Sequence, residues 1–146
     1  MPAIVIGADT EAGMAIIDAL AQPGREIRGF VSDPGVAAIL RRRGVKVALG
    51  DVSDDSHIEG AALHCFTVVL VGEAAGDDRE RSFARTEIEV LEAWGRAAVS
   101  ARAHRVIWVL GGEPPVVDVP EVAQVSPTDP DFARRVAELD DARVIQ

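Results

Sequence analysis

Short apolar runs alternate with helical stretches along most of this chain, and that alternation restricts the fold more than any other feature. The first run, Ala3–Ile6, is continuously apolar and ends at Gly7, as expected for a strand buried on both faces. Further strands are predicted at 27–31, 45–49, 66–71 and 106–110. Strands that alternate with helices indicate βαβ units and a parallel sheet.

The last part of the chain has a weaker pattern. Residues 113–130 are rich in proline and predict an extended connection inside a single domain that spans 1–146. A final helix is predicted from Asp129, followed by a short sixth strand at 143–145. With right-handed crossovers, six such strands predict a three-layer α/β fold with the strand order 3-2-1-4-5-6.

Two helix starts are also predicted. Ser56 and Glu59 have the spacing of a capping box, which places a helix start at Ser56. A long helix is predicted from about 80 to 103.

Trp94 and Trp108 have the spacing of core residues, so packing is the expected role of both.

Composition disfavours several functional classes. The chain has 146 residues and a net charge of −9, so its surface repels nucleic-acid backbones and anionic lipid. No apolar stretch approaches the roughly 20 residues that a membrane helix requires. The sequence starts directly in a predicted strand and has one cysteine, Cys65, so we expect a cytoplasmic protein without signal peptide or internal disulfide.

The turn from Gly7 to Gly13 is the strongest candidate for a ligand site. A strand that bends sharply into a helix presents unpaired backbone N–H groups and the positive end of the helix dipole, which together attract phosphate. Glycine permits the tight turn and lets phosphate approach the backbone. The segment therefore predicts a turn that binds the pyrophosphate of a nucleotide.

This turn and the segments around the following strands resemble the atypical short-chain dehydrogenases, in particular the NmrA-like NAD(P)-binding group with its Rossmann fold. The loop typical of that group is Gly-Ala-Thr-Gly-x-x-Gly. The resemblance covers most of the chain and includes residues 4–13, 31–33, 44–52, 69–72 and 105–110. It implies NAD or NADP as the cofactor.

The resemblance also implies a set of cofactor-binding residues. These are Gly7, Thr10, Gly13, Ser32, Asp33, Asp51, Val52 and Gly72. In this group the first and third glycines match Gly7 and Gly13, whereas Thr10 replaces the middle glycine. Asp51 matches a position beside the adenine, and Gly72 a position in the adenosine pocket.

The residues after the second strand bear on the choice of cofactor. Ser32 stands where NADP-preferring relatives often carry an arginine for the 2′-phosphate, so the resemblance favours NAD over NADP. Asp33 has two open interpretations: its carboxylate accepts hydrogen bonds from the ribose hydroxyls, or it caps the next helix.

Two carboxylates in the glycine turn oppose nucleotide binding. Asp9 stands where the group usually has threonine, and Glu11 follows closely. At ~5 Å and an effective dielectric constant of ~20, each pair of like charges repels by roughly 3 kcal/mol before screening. Alternatively, a carboxylate folds back onto the free N–H groups and leaves a self-capped turn.

The catalytic pair of the short-chain dehydrogenases is missing. These enzymes use a tyrosine whose pKa is lowered by a lysine four residues later, and this chain contains no tyrosine. In the alignment that the resemblance implies, Pro130 and Arg134 occupy those two positions, and Gly111-Gly112 replace the serine after the fifth strand. We therefore assign no catalytic residues and expect a pseudoenzyme.

Other chemistry-bearing residues have simpler explanations. His57, His64 and Cys65 lack an evident further metal ligand, so no metal site is predicted. Glu113 lies just after the fifth strand, where it is a candidate general base or a surface acid.

Three functions remain open. The first is a non-catalytic NAD(P) sensor or regulator. The second is an interaction module that has lost nucleotide binding, with a protein partner or a second copy of the chain as its target. The third is an NAD(P)-dependent oxidoreductase that uses atypical residues.

Overall fold

The computed structural model describes residues 1–145 and contains a six-stranded parallel sheet between two layers of helices. The strands are β1 (Ala3–Ile6), β2 (Ile27–Val31), β3 (Lys46–Leu49), β4 (Thr67–Val71), β5 (Arg105–Val109) and β6 (Glu121–Val125). The helices are α1 (Glu11–Leu20), α2 (Pro34–Arg42), α3 (Asp55–Ala62), α4 (Glu73–Gly76), α5 (Glu87–Ser100) and α6 (Phe132–Asp141). The sheet order is β3-β2-β1-β4-β5-β6, which confirms the predicted α/β fold and the order 3-2-1-4-5-6.

The central strands are apolar because both of their faces are covered by helices. All residues of β1, β4 and β5 are buried, whereas the edge strand β3 is partly exposed. One core cluster lies under α3, α4 and α5 and contains both tryptophans, Trp94 and Trp108. A second cluster lies under α1, α2 and α6 on the opposite face.

The register brings the loops after the strands to one edge of the sheet. Ile6 at the end of β1 pairs with Phe30 of β2 on one side and with Leu70 of β4 on the other. Because all pairings are parallel, the segments that follow these strands converge at the carboxyl edge. This edge carries the candidate site.

The prediction for the last part of the chain was wrong in two respects. Residues 113–130, predicted as an extended connection, include β6, and residues 143–145 do not form the predicted strand. β6 is an edge strand in which only the first and last residues are buried, so it lacks the apolar run of a central strand. At 143–145, the N–H of Ile145 instead bonds to the Glu121 carboxylate.

Three predicted helix boundaries also differ from the structure, and one of them is the start of α6, which lies at Phe132 and not at Asp129. The predicted helix 80–103 is α5 alone, which begins at Glu87 after the capping residue Thr86. The cap of α3 is Asp54, whose carboxylate accepts from the N–H of His57, so the predicted start at Ser56 was wrong. In the part of the chain that the structure describes, every helix is too short or too polar to cross a membrane.

Candidate functional site

The turn between β1 and α1 requires glycine at both ends. Gly7 has φ of +86°, and a Cβ at this position would lie 2.9 Å from the Cβ of Ala74. A Cβ on Gly13 would lie 2.1 Å from the carbonyl oxygen of Gly7. The two glycines therefore let α1 begin directly against the end of β1.

Thr10 closes this turn through its hydroxyl group. The hydroxyl donates to the Gly7 carbonyl at 2.7 Å and accepts from the Gly13 N–H at 2.9 Å. Thr10 is thus the N-cap of α1, so a hydroxyl and not one of the two carboxylates caps this helix. Among residues 1–145, no group accepts a hydrogen bond from the N–H of Glu11 or Ala12.

Asp9 turns away from α1 and binds the segment after β2. Its Oδ2 accepts from the N–H of Ser32 at 2.8 Å and from the N–H of Asp33 at 3.2 Å. Its Oδ1 accepts from Arg79 at 2.8 Å. The Asp9 side chain is only 4% exposed, so this carboxylate is buried and fully engaged.

Arg79 is a site residue that sequence reasoning missed. Its guanidinium forms two hydrogen bonds of 2.8 Å with the Asp77 carboxylate and a third with Asp9. Burial lowers the pKa of Arg79, but the hydrogen bonds that it donates to Asp77 and Asp9 raise that pKa above its ordinary value, so the group stays charged. No periodicity in the polar segment after β4 signals this contact.

Asp51 ties the end of β3 to the loop that contains Arg79. Its Oδ1 accepts from the N–H of Ser53 and its Oδ2 from the N–H of Ser82, both at 2.8 Å. The Ser53 hydroxyl in turn accepts from the N–H of Phe83 at 3.0 Å. Burial raises the pKa of Asp51, but the hydrogen bonds from the Ser53 hydroxyl and from the N–H groups of Ser82 and Ser53 outweigh burial and lower that pKa below its ordinary value.

We call residues 77–83 the cover loop, because they lie across the ends of β2 and β3. Beneath the loop is a cleft of about 540 Å³. Six carboxylates and one arginine line it, together with Ser32, Gly50 and Ser82. The cleft is therefore strongly acidic apart from Arg79.

The structure brings only some of the predicted cofactor residues to this cleft. Ser32, Asp33 and Asp51 line it, whereas Gly7, Thr10 and Gly13 form the adjoining turn. Asp33 caps α2 by accepting from the N–H of Gly35 at 2.8 Å, in agreement with one of its two interpretations.

The remaining two predicted residues are packed inside the protein. Val52 is fully buried, and its carbonyl oxygen accepts a hydrogen bond from Trp94. A Cβ on Gly72 would lie 2.5 Å from Cδ1 of Leu110, so Gly72 contacts the residue after β5. Neither residue lines the cleft beneath the cover loop.

The positions aligned with the catalytic pair lie at the predicted final helix, but this helix follows the last strand of the sheet instead of preceding it. Pro130 and Arg134 lie around the start of α6, which follows β6, and the Arg134 side chain is 67% exposed. The described residues 110–120 between β5 and β6 contain no helix.

The packing and exposure of the other candidate residues give no sign of a functional role. His57 packs edge-on against Phe30 with ring centroids 5.0 Å apart, Cys65 is buried, and Glu113 is exposed. Within residues 1–145, no three His, Cys, Asp or Glu side chains are grouped closely enough to hold a metal ion. Both tryptophans lie in the core, as predicted.

Comparison by structure finds many proteins with this fold. Triphenylmethane reductase from Citrobacter sp., complexed with NADP(H), is 21% identical with a TM-score of 0.62, over 75% of this chain and 37% of the reductase. An NADPH-dependent quinone oxidoreductase from Escherichia coli, complexed with NADPH, is 22% identical with a TM-score of 0.59, over 75% of this chain and 36% of that protein.

A short-chain dehydrogenase/reductase superfamily protein from Agrobacterium tumefaciens with bound NAD is 21% identical, with a TM-score of 0.54 over 77% of this chain and 33% of that protein. The chain thus spans about a third of the length of these three proteins. No family model matches the sequence, and a search of curated proteins found no match. The chain shares the Rossmann fold of these three proteins, whose structures contain NADP(H), NADPH and NAD.

Proposed function

We propose that this chain is a non-catalytic NAD(P)-binding domain that acts as a nucleotide sensor or regulator. The turn between Gly7 and Gly13 carries the proposal, because it opens a helix directly at the carboxyl edge of a parallel sheet. The N–H groups of Glu11 and Ala12 have no acceptor within residues 1–145 and suit a pyrophosphate.

The neighbouring cleft gives room for the adenosine half of a dinucleotide. Its volume of about 540 Å³ falls within the range of small-molecule sites, roughly 300–1,000 Å³. Ser32 and Asp51 lie at its walls. The proteins that share this fold are described with NADP(H), NADPH and NAD, which makes these dinucleotides the first ligands to test.

The absence of catalysis rests on the chemistry of the chain. The sequence has no tyrosine to transfer a proton to or from a substrate oxygen. Arg134, at the lysine position, does not give up its proton near neutral pH. We therefore expect no turnover of NADH or NADPH with triphenylmethane dyes or quinones, the substrate classes of two similar structures.

Calorimetric titration with NAD, NADH, NADP and NADPH tests the proposal, and a matched pair of variants locates the site. Glu11 is the first residue of α1, where proline fits without disturbing the helix. Both Glu11→Ala and Glu11→Pro remove the carboxylate, but only Glu11→Pro removes the N–H group. Since a hydrogen bond to a charged group contributes roughly 1.5–3 kcal/mol, Glu11→Pro should bind at least tenfold more weakly than Glu11→Ala. Equal affinities would place the pyrophosphate elsewhere.

A second candidate is an interaction module that no longer binds nucleotide. Hydrogen bonds within the chain favour this candidate, because the carboxylates of Asp9 and Asp51 both accept from backbone N–H groups of the chain itself. No heat and no thermal shift with millimolar concentrations of all four dinucleotides would favour this candidate over the sensor.

A further inference from the structure

The carboxylate of Asp9 occupies a pocket of hydrogen-bond donors at the adjoining ends of β1 and β2. The N–H groups of Ser32 and Asp33 donate to one oxygen, and the guanidinium of Arg79 donates to the other. The Ser32 hydroxyl lies 3.4 Å from the same guanidinium nitrogen. The pocket therefore encloses an anion that belongs to the protein itself.

This donor set suits a phosphate group. Successive backbone N–H groups form concave anion sites, and a guanidinium binds phosphate with charge-assisted hydrogen bonds. Arg79 is 12% exposed and comes from the cover loop, so the cation reaches this pocket from a segment distant in sequence. A bound phosphate would use the donors that now bind Asp9.

We infer that this pocket is a subsite for a phosphate on the adenosine ribose and that Asp9 already fills it, so that the chain accepts NAD and rejects NADP. The inference rests on the proposed function, in which a dinucleotide binds along the Gly7–Gly13 turn. A phosphate monoester carries a charge of about −1.5 to −2 at neutral pH, and it would have to displace a buried carboxylate from Arg79.

The structure thus gives a different basis for cofactor choice from the one that the sequence suggested. The resemblance favoured NAD because Ser32 replaces an arginine. In the structure an arginine is present nearby, but Asp9 and Asp77 both bind it. Asp9 is therefore the residue that determines specificity.

Calorimetric titration of the full chain with 2′,5′-ADP and with 5′-AMP tests the inference, and NADP and NAD provide the same comparison on whole dinucleotides. For the natural chain we expect NAD to bind at least tenfold more tightly than NADP. Asp9→Ala vacates the pocket and should let 2′,5′-ADP bind at least tenfold more tightly than 5′-AMP. Asp9→Thr, which removes the charge and introduces the residue usual in the resembling group, provides a second variant without the carboxylate if the alanine variant unfolds.

Two further variants separate the pocket from general charge. Asp78→Ala removes an equal charge from an exposed residue of the same cleft and should change the preference less than threefold. Arg79→Gln in the Asp9→Ala background should abolish the gain for 2′,5′-ADP.

An unchanged preference in both folded Asp9 variants would overturn the inference. If the natural chain binds none of the ligands, the proposed function fails, whereas the response of the Asp9 variants to 2′,5′-ADP still decides whether the donors form a phosphate subsite.

Discussion

The indole N–H of Trp94 donates a hydrogen bond of 2.8 Å to the carbonyl oxygen of Val52. Trp94 belongs to α5, and Val52 lies in the turn after β3, next to Asp51. Both side chains are completely buried. The bond therefore joins the interior of a helical layer to the edge of the sheet that bears the cleft.

Replacement of Trp94 by phenylalanine should destabilise the fold more than the same replacement of Trp108. Both tryptophans are completely buried, but the indole N–H of Trp108 has no hydrogen-bond partner among residues 1–145. Trp94→Phe loses ring volume and leaves the Val52 carbonyl unpaired, whereas Trp108→Phe loses volume alone. An unpaired buried acceptor costs about 1–3 kcal/mol, so the two free energies of unfolding should differ by roughly that amount. Urea titration of both variants measures the difference, and equal losses would mean that the Trp94 bond adds nothing.

Alanine substitution should lower the stability of the fold at one helical glycine and raise it at another. In α1, the Cβ of Gly13→Ala would lie 2.1 Å from a backbone oxygen, so α1 must move away from β1. We expect a loss of more than about 2 kcal/mol, in the range of overpacked sites. Gly60 in α3 is exposed with nothing within 4 Å of its Cβ position, and Gly60→Ala should stabilise the protein by about 0.5–1 kcal/mol. Thermal unfolding of the pair distinguishes crowding in the turn from a general effect of removing glycine.

The parts of the site that local chemistry determines were predictable from the sequence. Gly7 and Gly13 mark the turn because a strand-to-helix bend requires glycine at such positions. Thr10 was predicted only as a cofactor-binding residue in place of the middle glycine, yet a threonine just before a helix is a common N-cap. That preference predicts the hydrogen bond between the Thr10 hydroxyl and the Gly13 N–H.

The parts that depend on distant contacts were not predictable. Arg79 meets Asp9 across 70 positions in sequence, and nothing in the polar segment around it indicates which carboxylate it will bind. β6 was missed because an edge strand needs only one well-covered side, so its apolar pattern is short and proline residues flank it. Sequence periodicity detects buried apolar residues, whereas the Arg79–Asp9 contact and strand β6 both depend on polar or half-exposed groups.

Cys65 should react very slowly with thiol reagents while the protein is folded. Burial raises the pKa of the Cys65 thiol to about 11, and the residue is 3% exposed. Because the thiolate is the reacting form, only a small fraction is available at pH 8. Reaction with a disulfide reagent should be at least a hundredfold faster in guanidinium chloride than in buffer. Rapid labelling of the native chain would show that the segment around Cys65 opens readily.

The cover loop should loosen in acid before the rest of the fold. Burial raises the pKa values of Asp51 and Asp77, but hydrogen bonds from Ser53 and Ser82 to Asp51, and from Arg79 to Asp77, lower both below their ordinary values. Carboxyl groups with lowered pKa values stabilise the folded loop above the unfolded pKa of about 3.9, and that contribution is lost as the pH falls through the folded pKa.

Amide hydrogen exchange of residues 77–83, corrected for intrinsic rates, should therefore accelerate between pH 5 and pH 3 more than exchange in β1 and β4. Asp51→Asn removes one of the two titrating groups and should give faster exchange at pH 6 with a smaller increase on acidification. Asp78→Asn, at an exposed carboxylate of the same loop, should behave like the natural chain. If Asp51→Asn has no effect at either pH, the Asp51 hydrogen bonds to Ser53 and Ser82 do not hold the cover loop over the cleft.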